Sequence, residues 1–509
     1  MFNNRIILLI AIFIISLLST VFITQGIPFF WEDCQFIQIR EGLNKPALFL
    51  QQLKENSFQI NYSSRPMATV LLDLQSDICG KNVNPNRFFR AFVYSLLTLV
   101  CFIFLKRFTS VAFAFFGALF FIFTPENWLQ TVYQDVGLYS HLFLTSAFLL
   151  FLNIYKLKNK SFLKPLIFTC IIFLIFLSTG AKHEGRYAVF VLLIFSLIYY
   201  PKAIIDNWWF YLVLLFISIP ILGLLGFGNV TKIINAKVPL ELQSLIHDFI
   251  TNFKDPLFTL GIFMWGLLVC ALLINLTISI RRKSLFSWLR NNLSEGLIFS
   301  SVWFIFALVF NFLILKWNFQ GSRDFSKTYY SFLWMPFLIF VFTVVYSAYH
   351  SLKKNKIFLI LVIFAVSVSF LVNLKNLNQI RGGWGGYWVS LGNLKSFVEQ
   401  RDDNSLVLIT PRHFYPETFF YGSNNKLEMT PLYSNLEYIK VRYFLGQHRN
   451  IYVASFGELN FAKDSQMALL GAVDNLSGSL YDNLKLFMGK KPQQSIFIYK
   501  YTYHKNPNF

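Results

Sequence analysis

Apolar runs of about 20 residues, separated by short polar connections, recur from the N-terminus to about residue 375, and each is long enough to cross a hydrocarbon core. The pattern predicts about eleven spans, near residues 6–27, 88–105, 109–124, 138–154, 163–179, 186–200, 208–228, 257–279, 297–315, 329–349 and 357–374. The third to sixth are the shortest group, so some of them could enter and leave by one face. After residue 375 the pattern changes. Gly382-Gly-Trp-Gly-Gly386 reads as a linker, and short β-rich runs follow at Ser405–Thr410, Asn450–Ala454 and Ser495–Tyr499. Helical-looking segments lie between those runs, which predicts a small α/β domain. The expected fold class is therefore a polytopic α-helical membrane protein, residues 1–375, with a C-terminal extracytoplasmic α/β domain, residues 376–509.

Composition agrees with this class. The chain of 509 residues is 55% hydrophobic, 19% aromatic and only 14% charged, against about a quarter charged for soluble chains. A net charge of +20 would suggest nucleic acid in a soluble protein. Here many cations stand in short connections beside the spans, where the positive-inside bias puts them, so no nucleic-acid partner is expected. These connections hold Lys106-Arg107, the Lys156–Lys164 stretch, Lys202, Arg281-Arg282-Lys283 with Arg290, and Lys353-Lys354-Asn-Lys356. Asp206 and Glu295 are the acidic exceptions. The N-terminus is then inside, and an odd number of spans puts the C-terminus outside. Met1-Phe-Asn-Asn-Arg5 leads directly into the first apolar run with no small-residue cleavage pattern, which reads as a retained span. The outer side carries the long segments: a first loop over about 28–87, a second over about 229–256, and the tail. Within the first loop, Lys45–Phe58 and Met67–Ile78 are amphipathic enough to lie in the interface as helices. Of the five cysteines, Cys101, Cys170 and Cys270 fall in spans as packing residues. Cys34 and Cys79 share the first outer loop, where an oxidising compartment would permit a disulfide.

The candidate chemistry gathers on that outer side. Glu32 and Asp33 follow the first span in Gly26-Ile-Pro-Phe-Phe-Trp-Glu-Asp-Cys34. Desolvating two adjacent carboxylates is costly unless their charge is used or paired. A carboxylate here could take a proton from a nucleophile, or hold a divalent metal such as Mg or Mn beside a phosphate. It could equally cap a helix or pair with an arginine. Arg65 stands in Ser64-Arg-Pro66, and Arg87 and Arg90 in Asn86-Arg-Phe-Phe-Arg90, at the head of the second span. An arginine inside an apolar helix must find a carboxylate, a phosphate or water. Further polar groups face the same side: Glu126, Gln134, Asp135, Tyr139 and His141; Lys182-His183-Glu184 with Arg186; and Arg323, Asp324, Lys327, Tyr329 and Tyr330. One-sided clustering of mixed titratable groups is what a site open to the outer face needs. No Walker-type loop, G-x-S-x-G elbow, H-E-x-x-H or C-x-x-C pattern occurs, so ATPase, serine-hydrolase, zincin and thioredoxin-like readings lack support. The inner loops are too short to hold a soluble nucleotide-sugar domain.

This arrangement resembles the GT-C superfamily of membrane glycosyltransferases, which includes protein O-mannosyltransferases and the aminoarabinose transferases of lipid A. Their acidic motif after the first span looks like Trp31-Glu-Asp33, their Arg-Pro like Arg65-Pro66, and their arginine-bearing second span like Arg87–Arg90. Lys182-His-Glu184, and Arg323 with Tyr329 and Pro336, are similar to later family motifs. The resemblance covers about 1–375. It implies a sugar donor on a polyprenyl phosphate, used on the outer leaflet, and a glycan, lipid or protein acceptor. It further implies inverting transfer, with Asp33 as general base and Glu32 as helper or metal ligand. Arg65, Arg87, Arg90, Lys182, His183, Glu184, Arg323 and Tyr330 would bind the donor phosphate and the substrates. No cofactor beyond that metal is called for. A bacterial inner membrane, with the site facing the periplasm, is the expected location, with the eukaryotic ER as second setting. A lipid transporter or flippase would instead show repeats and charges near mid-span, and a non-enzymatic subunit would not need the acidic pair.

Overall fold

The computed structural model describes residues 2–24, 66–79, 83–124, 127, 131, 136–154, 163–224, 260–281, 292–318, 326–380, 405–410, 426–429, 450–455, 467–475 and 494–501. The chain divides into two compact units. The first holds Met1–Phe22, Asn44–Thr131 and Asp135–Lys375, and the second Ile23–Leu43, Val132–Gln134 and Asn376–Phe509.

The described helices are α1 Phe2–Thr24, α2 Pro66–Cys79, α3 Val83–Phe108, α4 Val111–Ile122, α5 Gly137–Ile154, α6 Leu163–Ala181, α7 Ala188–Tyr199, α8 Pro201–Asp206, α9 Trp208–Leu224, α10 Ile262–Arg281, α11 Asn292–Asn318, α12 Ser326–Ser351 and α13 Lys356–Ile380. Where their residues are described, the predicted apolar runs are helical, because a chain in lipid must satisfy its backbone within the segment. Among the described residues six helices are long and apolar enough to cross a membrane: α1, α3, α5, α6, α12 and α13. The protein is an integral membrane protein. α2 matches the amphipathic stretch Met67–Ile78, burying Leu72, Gln75 and Cys79 while Val70, Leu74 and Ile78 are exposed. Lys45–Phe58 and the 229–256 loop lie outside the described residues.

Lipid tails are as apolar as leucine, so close packing has to hold such helices together. Aromatic rings fill the space where α3, α5, α7 and α11 meet. Phe148 stands 4.9 Å from Trp303 and 5.4 Å from Phe299, and Phe195 stands 5.0 Å from Phe299 (ring centroids). Trp303 is fully buried and donates to the Tyr187 hydroxyl at 3.4 Å. Elsewhere small residues let helices approach. A Cβ at Gly117 would lie 2.5 Å from Leu105, and one at Gly180 would lie 2.6 Å from Met67. Asn275 on α10 donates to the Val344 carbonyl at 3.0 Å and accepts from Ser347 at 3.1 Å, both on α12.

The expectation for Cys170 and Cys270 is corrected. Cys101 is buried as a packing residue, but Cys170 and Cys270 are exposed on their helices, because their positions fall on the outward face. Cys79 is a buried free thiol, so the pairing with Cys34 is not made; burial pushes this thiol's pKa up.

In the second unit five strands, β1 Ser405–Thr410, β2 Lys426–Met429, β3 Asn450–Ser455, β4 Met467–Asn475 and β5 Gln494–Tyr501, form one sheet in the order β2-β1-β3-β5-β4. β1 pairs in parallel with β2 and β3, and β5 pairs antiparallel with β3 and β4. Four successive residues of β3, Ile451–Ala454, are buried, so both faces of this central strand are covered. Three of the strands are those expected from sequence. β2 and β4 were not anticipated.

Candidate functional site

One end of the helical unit concentrates buried polar side chains. Arg87 and Arg90 stand one turn apart near the start of α3, 5% and 0% exposed. Arg87 Nη1 and Arg90 Nε both donate to the Thr131 carbonyl at 3.3 Å. Arg90 also lies over the Tyr139 ring, its Cζ 6.0 Å from the centroid. The Tyr139 hydroxyl bonds to Gln75 Oε1 of α2, and Gln75 Nε2 donates to Asn86 Oδ1 of α3 at 2.8 Å. A relay of neutral side chains thus joins α2, α3 and α5 beneath the two guanidinium groups. One turn further along α3, the Tyr94 hydroxyl donates to the Phe121 carbonyl at 2.8 Å and closes the end of α4.

Phe121 leads to the second half of the cluster. Its ring meets His141 edge-on at 6.3 Å, and His141 stacks on Phe332 of α12 at 4.8 Å. Lys182, only 1% exposed, holds its ammonium 5.6 Å from the same Phe332 centroid. Lys182 directly follows α6, whose end is locked to the start of α5 by hydroxyls. Ser140 and Ser178 each donate to the other's carbonyl, at 3.0 and 2.9 Å. After Lys182 the chain turns back in a tight 3-10 turn, His183–Tyr187. Gly185 makes this turn possible, since a Cβ there would stand 2.5 Å from the Thr179 amide nitrogen. Arg186 in the same turn is 8% exposed.

Of the residues singled out from sequence, Arg87, Arg90 and Lys182 are therefore buried at one end of the unit. Arg87 and Arg90 meet at one carbonyl, and Lys182 connects to their helix through Phe332, His141, Phe121 and Tyr94. The backbone of His183 and Glu184 lies in the 3-10 turn, and that of Tyr330 in the first turns of α12. Glu32, Asp33, Arg65 and Arg323 lie outside the described residues, as do the side chains of His183, Glu184 and Tyr330. Among the described residues no group of three or more His, Cys, Asp or Glu comes together as a metal site. Sequence reasoning did not assign roles to Gln75, Asn86, Thr131, His141, Thr179 or Phe332. The one signal for His141 was an ionisable residue inside an apolar helix; the others gave none.

The opposite end is built differently. Arg107, in the last turn of α3, pairs with Glu295, in the first turn of α11, at 3.0 Å. The Tyr200 hydroxyl donates to the same Glu295 oxygen at 3.2 Å, and Arg107 also donates to Asn153 Oδ1 at 2.5 Å and to the Leu152 carbonyl at 2.7 Å.

No family model matches the sequence, and no curated protein matches it. Among solved structures, the chain is similar to the oligosaccharyltransferase of Archaeoglobus fulgidus in complex with Zn and sulfate. The identity is 11%, over 87% of this chain and 67% of that chain, with a TM-score of 0.44. It is also similar to ArnT from Cupriavidus metallidurans bound to undecaprenyl phosphate. Here the identity is 9%, over 97% of this chain and 98% of that chain, with a TM-score of 0.39.

Proposed function

We propose that the protein is a GT-C type glycosyltransferase that moves a sugar from a polyprenyl-phosphate donor to a glycan, lipid or protein acceptor at the outer face of a bacterial inner membrane. The observation that carries this reading is the burial of Arg87, Arg90, Lys182 and Arg186 at one end of the helical unit. Guanidinium and ammonium groups are phosphate-binding donors, and ionisable groups held at one end of a membrane bundle are more often functional than incidental. A phosphate that docks beside them gains charge-assisted hydrogen bonds. The sequence supports the reading with Glu32-Asp33 and Arg65-Pro66 in the first outer loop.

In this reading Asp33 takes the proton of the acceptor's nucleophilic group, with Glu32 beside it. That group attacks the anomeric carbon as the bond from this carbon to the phosphate oxygen breaks, inverting the configuration. The bond's electron pair leaves with the polyprenyl phosphate, and Arg87, Arg90 and Lys182 stabilise the charge developing there. Arg65, Arg323 and Tyr330 are assigned to substrate binding, as are His183 and Glu184 of the 3-10 turn that follows Lys182. Glu32 and Asp33 are also the residues that would hold a divalent metal.

The test is sugar transfer by purified protein from a polyprenyl-phosphate sugar, measured beside binding of the lipid. Asp33→Asn keeps the side chain's shape and removes its basicity, so the rate should fall about 10²–10⁴-fold with little change in lipid binding. Arg87→Ala should weaken binding and rate together. Full activity in Asp33→Asn combined with Glu32→Gln would overturn the assignment.

A further inference from the structure

Two polar groups in the cluster are not accounted for by holding a phosphate. Among the described residues, neither ring nitrogen of His141 nor the hydroxyl of Thr179 has a hydrogen-bond partner, and both residues are fully buried. Buried polar atoms without partners are rare in folded proteins, because each forfeits the hydrogen bonds it made to water. The two are also neighbours by construction. Ser140 and Ser178 clasp α5 to α6, which run antiparallel, and His141 and Thr179 each follow one of these serines. On antiparallel right-handed helices the residue after each contact turns toward the same flank of that contact. Lys182 lies three residues beyond Thr179 and shares the Phe332 ring with His141.

The chemistry of these groups differs from that of the cations. Lys182, Arg87 and Arg90 can only donate, which suits a phosphate. A hydroxyl, and an imidazole in its neutral form, each offer both a donor and an acceptor, and the natural complement is another hydroxyl. We propose that His141 and Thr179 are the hydroxyl-reading pair of the site, exchanging hydrogen bonds with the sugar of the lipid donor while the cations hold its phosphate. The inference rests on the donor reading given above. Phe332 stacks on His141, so the sugar reaches that ring by displacing it. Pro336, inside α12, has no N–H to give the Phe332 carbonyl four residues earlier, and the helix is one rung weaker at that point.

Thr179→Val and His141→Phe test this, because each keeps the approximate shape and removes the polar atoms. Removing unsatisfied atoms should leave the melting temperature of the ligand-free protein unchanged or higher. Lowered melting in both variants would show that the groups already serve the fold, and would overturn the proposal. Binding is then compared for bare polyprenyl phosphate and for polyprenyl phosphate carrying glucose or mannose. Wild type should prefer a sugar-bearing lipid, and each variant should lose about ten-fold of that preference, with affinity for the bare lipid unchanged. No preference in wild type, or an unchanged preference in both variants, overturns it. Arg90→Gln and Lys182→Gln separate the two readings. If they leave binding of the bare lipid intact, the phosphate site fails; if they weaken it while His141 and Thr179 prove silent, only the hydroxyl pair fails.

Discussion

Replacing Glu295 by leucine should be among the most damaging single changes at the end of the bundle opposite the candidate site. The Arg107 and Glu295 side chains are only 7% and 10% exposed, so solvent screens their 3.0 Å pair weakly. Removing one partner of a buried pair leaves the other uncompensated, at about 3–5 kcal/mol. Glu295→Leu should fall at the lower end, because Arg107 keeps the Leu152 carbonyl and Asn153 as acceptors. Arg107→Leu should cost more, since it leaves the carboxylate the Tyr200 hydroxyl but no cation and deprives both acceptors of this donor, at about 1 kcal/mol for each lost bond. In the double variant no charge is left behind, so its cost should fall short of the sum of the singles by at least about 2 kcal/mol. Denaturant unfolding of the four proteins in detergent gives this coupling directly. Single effects that add to within about 0.5 kcal/mol would refute the coupling of Arg107 to Glu295. They would also remove the grounds for placing the ends of α3, α5, α7 and α11 on one face.

Two further outcomes follow from local geometry. Burial, and then the neighbouring Glu295 carboxylate, raises the Tyr200 pKa, so the folded protein keeps this proton to higher pH than the unfolded chain does. Its contribution to stability is therefore complete below the unfolded value of about 10 and is lost as pH rises from there through the folded value. Unfolding followed across that alkaline window should show a slope that Tyr200→Phe reduces; an identical slope in the variant counts against the contact. Gly185→Ala would drive a methyl to 2.5 Å from the Thr179 amide, costing about 1–3 kcal/mol as the turn shifts. A thermal melt should register that loss, and sugar transfer should fall with it because Lys182 and His183 adjoin the turn. Unchanged melting would show that the turn does not lie on α6 as described.

The helices were legible because a run of apolar residues in lipid has one low-energy backbone solution, whatever its neighbours do. Their ends were less so. α3 begins at Val83, about five residues before the predicted start, because Asn84, Pro85, Asn86 and Arg87 dilute the apolar signal while a proline in a first turn suits a helix. In the second unit, β1, β3 and β5 are rich in Val, Ile and Tyr and could be read directly. β4, Met467-Ala-Leu-Leu-Gly-Ala-Val-Asp-Asn475, favours helix by local propensity and becomes a strand through its pairing with β5, with a register shift between Leu469 and Gly471. In the site, Arg87, Arg90 and Lys182 stood out because ionisable residues interrupt apolar runs. Gln75, Asn86 and Thr179 did not, since an uncharged polar residue gains its meaning only from what tertiary structure brings against it.

The two ends of α3 show why the candidate site belongs where it does. At its C-terminal end Arg107 sits where the helix dipole favours a cation, and Glu295 sits at an N-terminus where the dipole favours an anion. Opposite charges meet there, and both local rules are obeyed. At the N-terminal end Arg87 and Arg90 stand a turn apart, near the pole that disfavours cations, deeply buried, and directed to the same carbonyl. Sequences generally satisfy local preferences except where function requires otherwise. The departure is what the proposed function uses: a pair of donors aimed at one place, where the phosphate of a lipid-linked sugar would find charge-assisted hydrogen bonds.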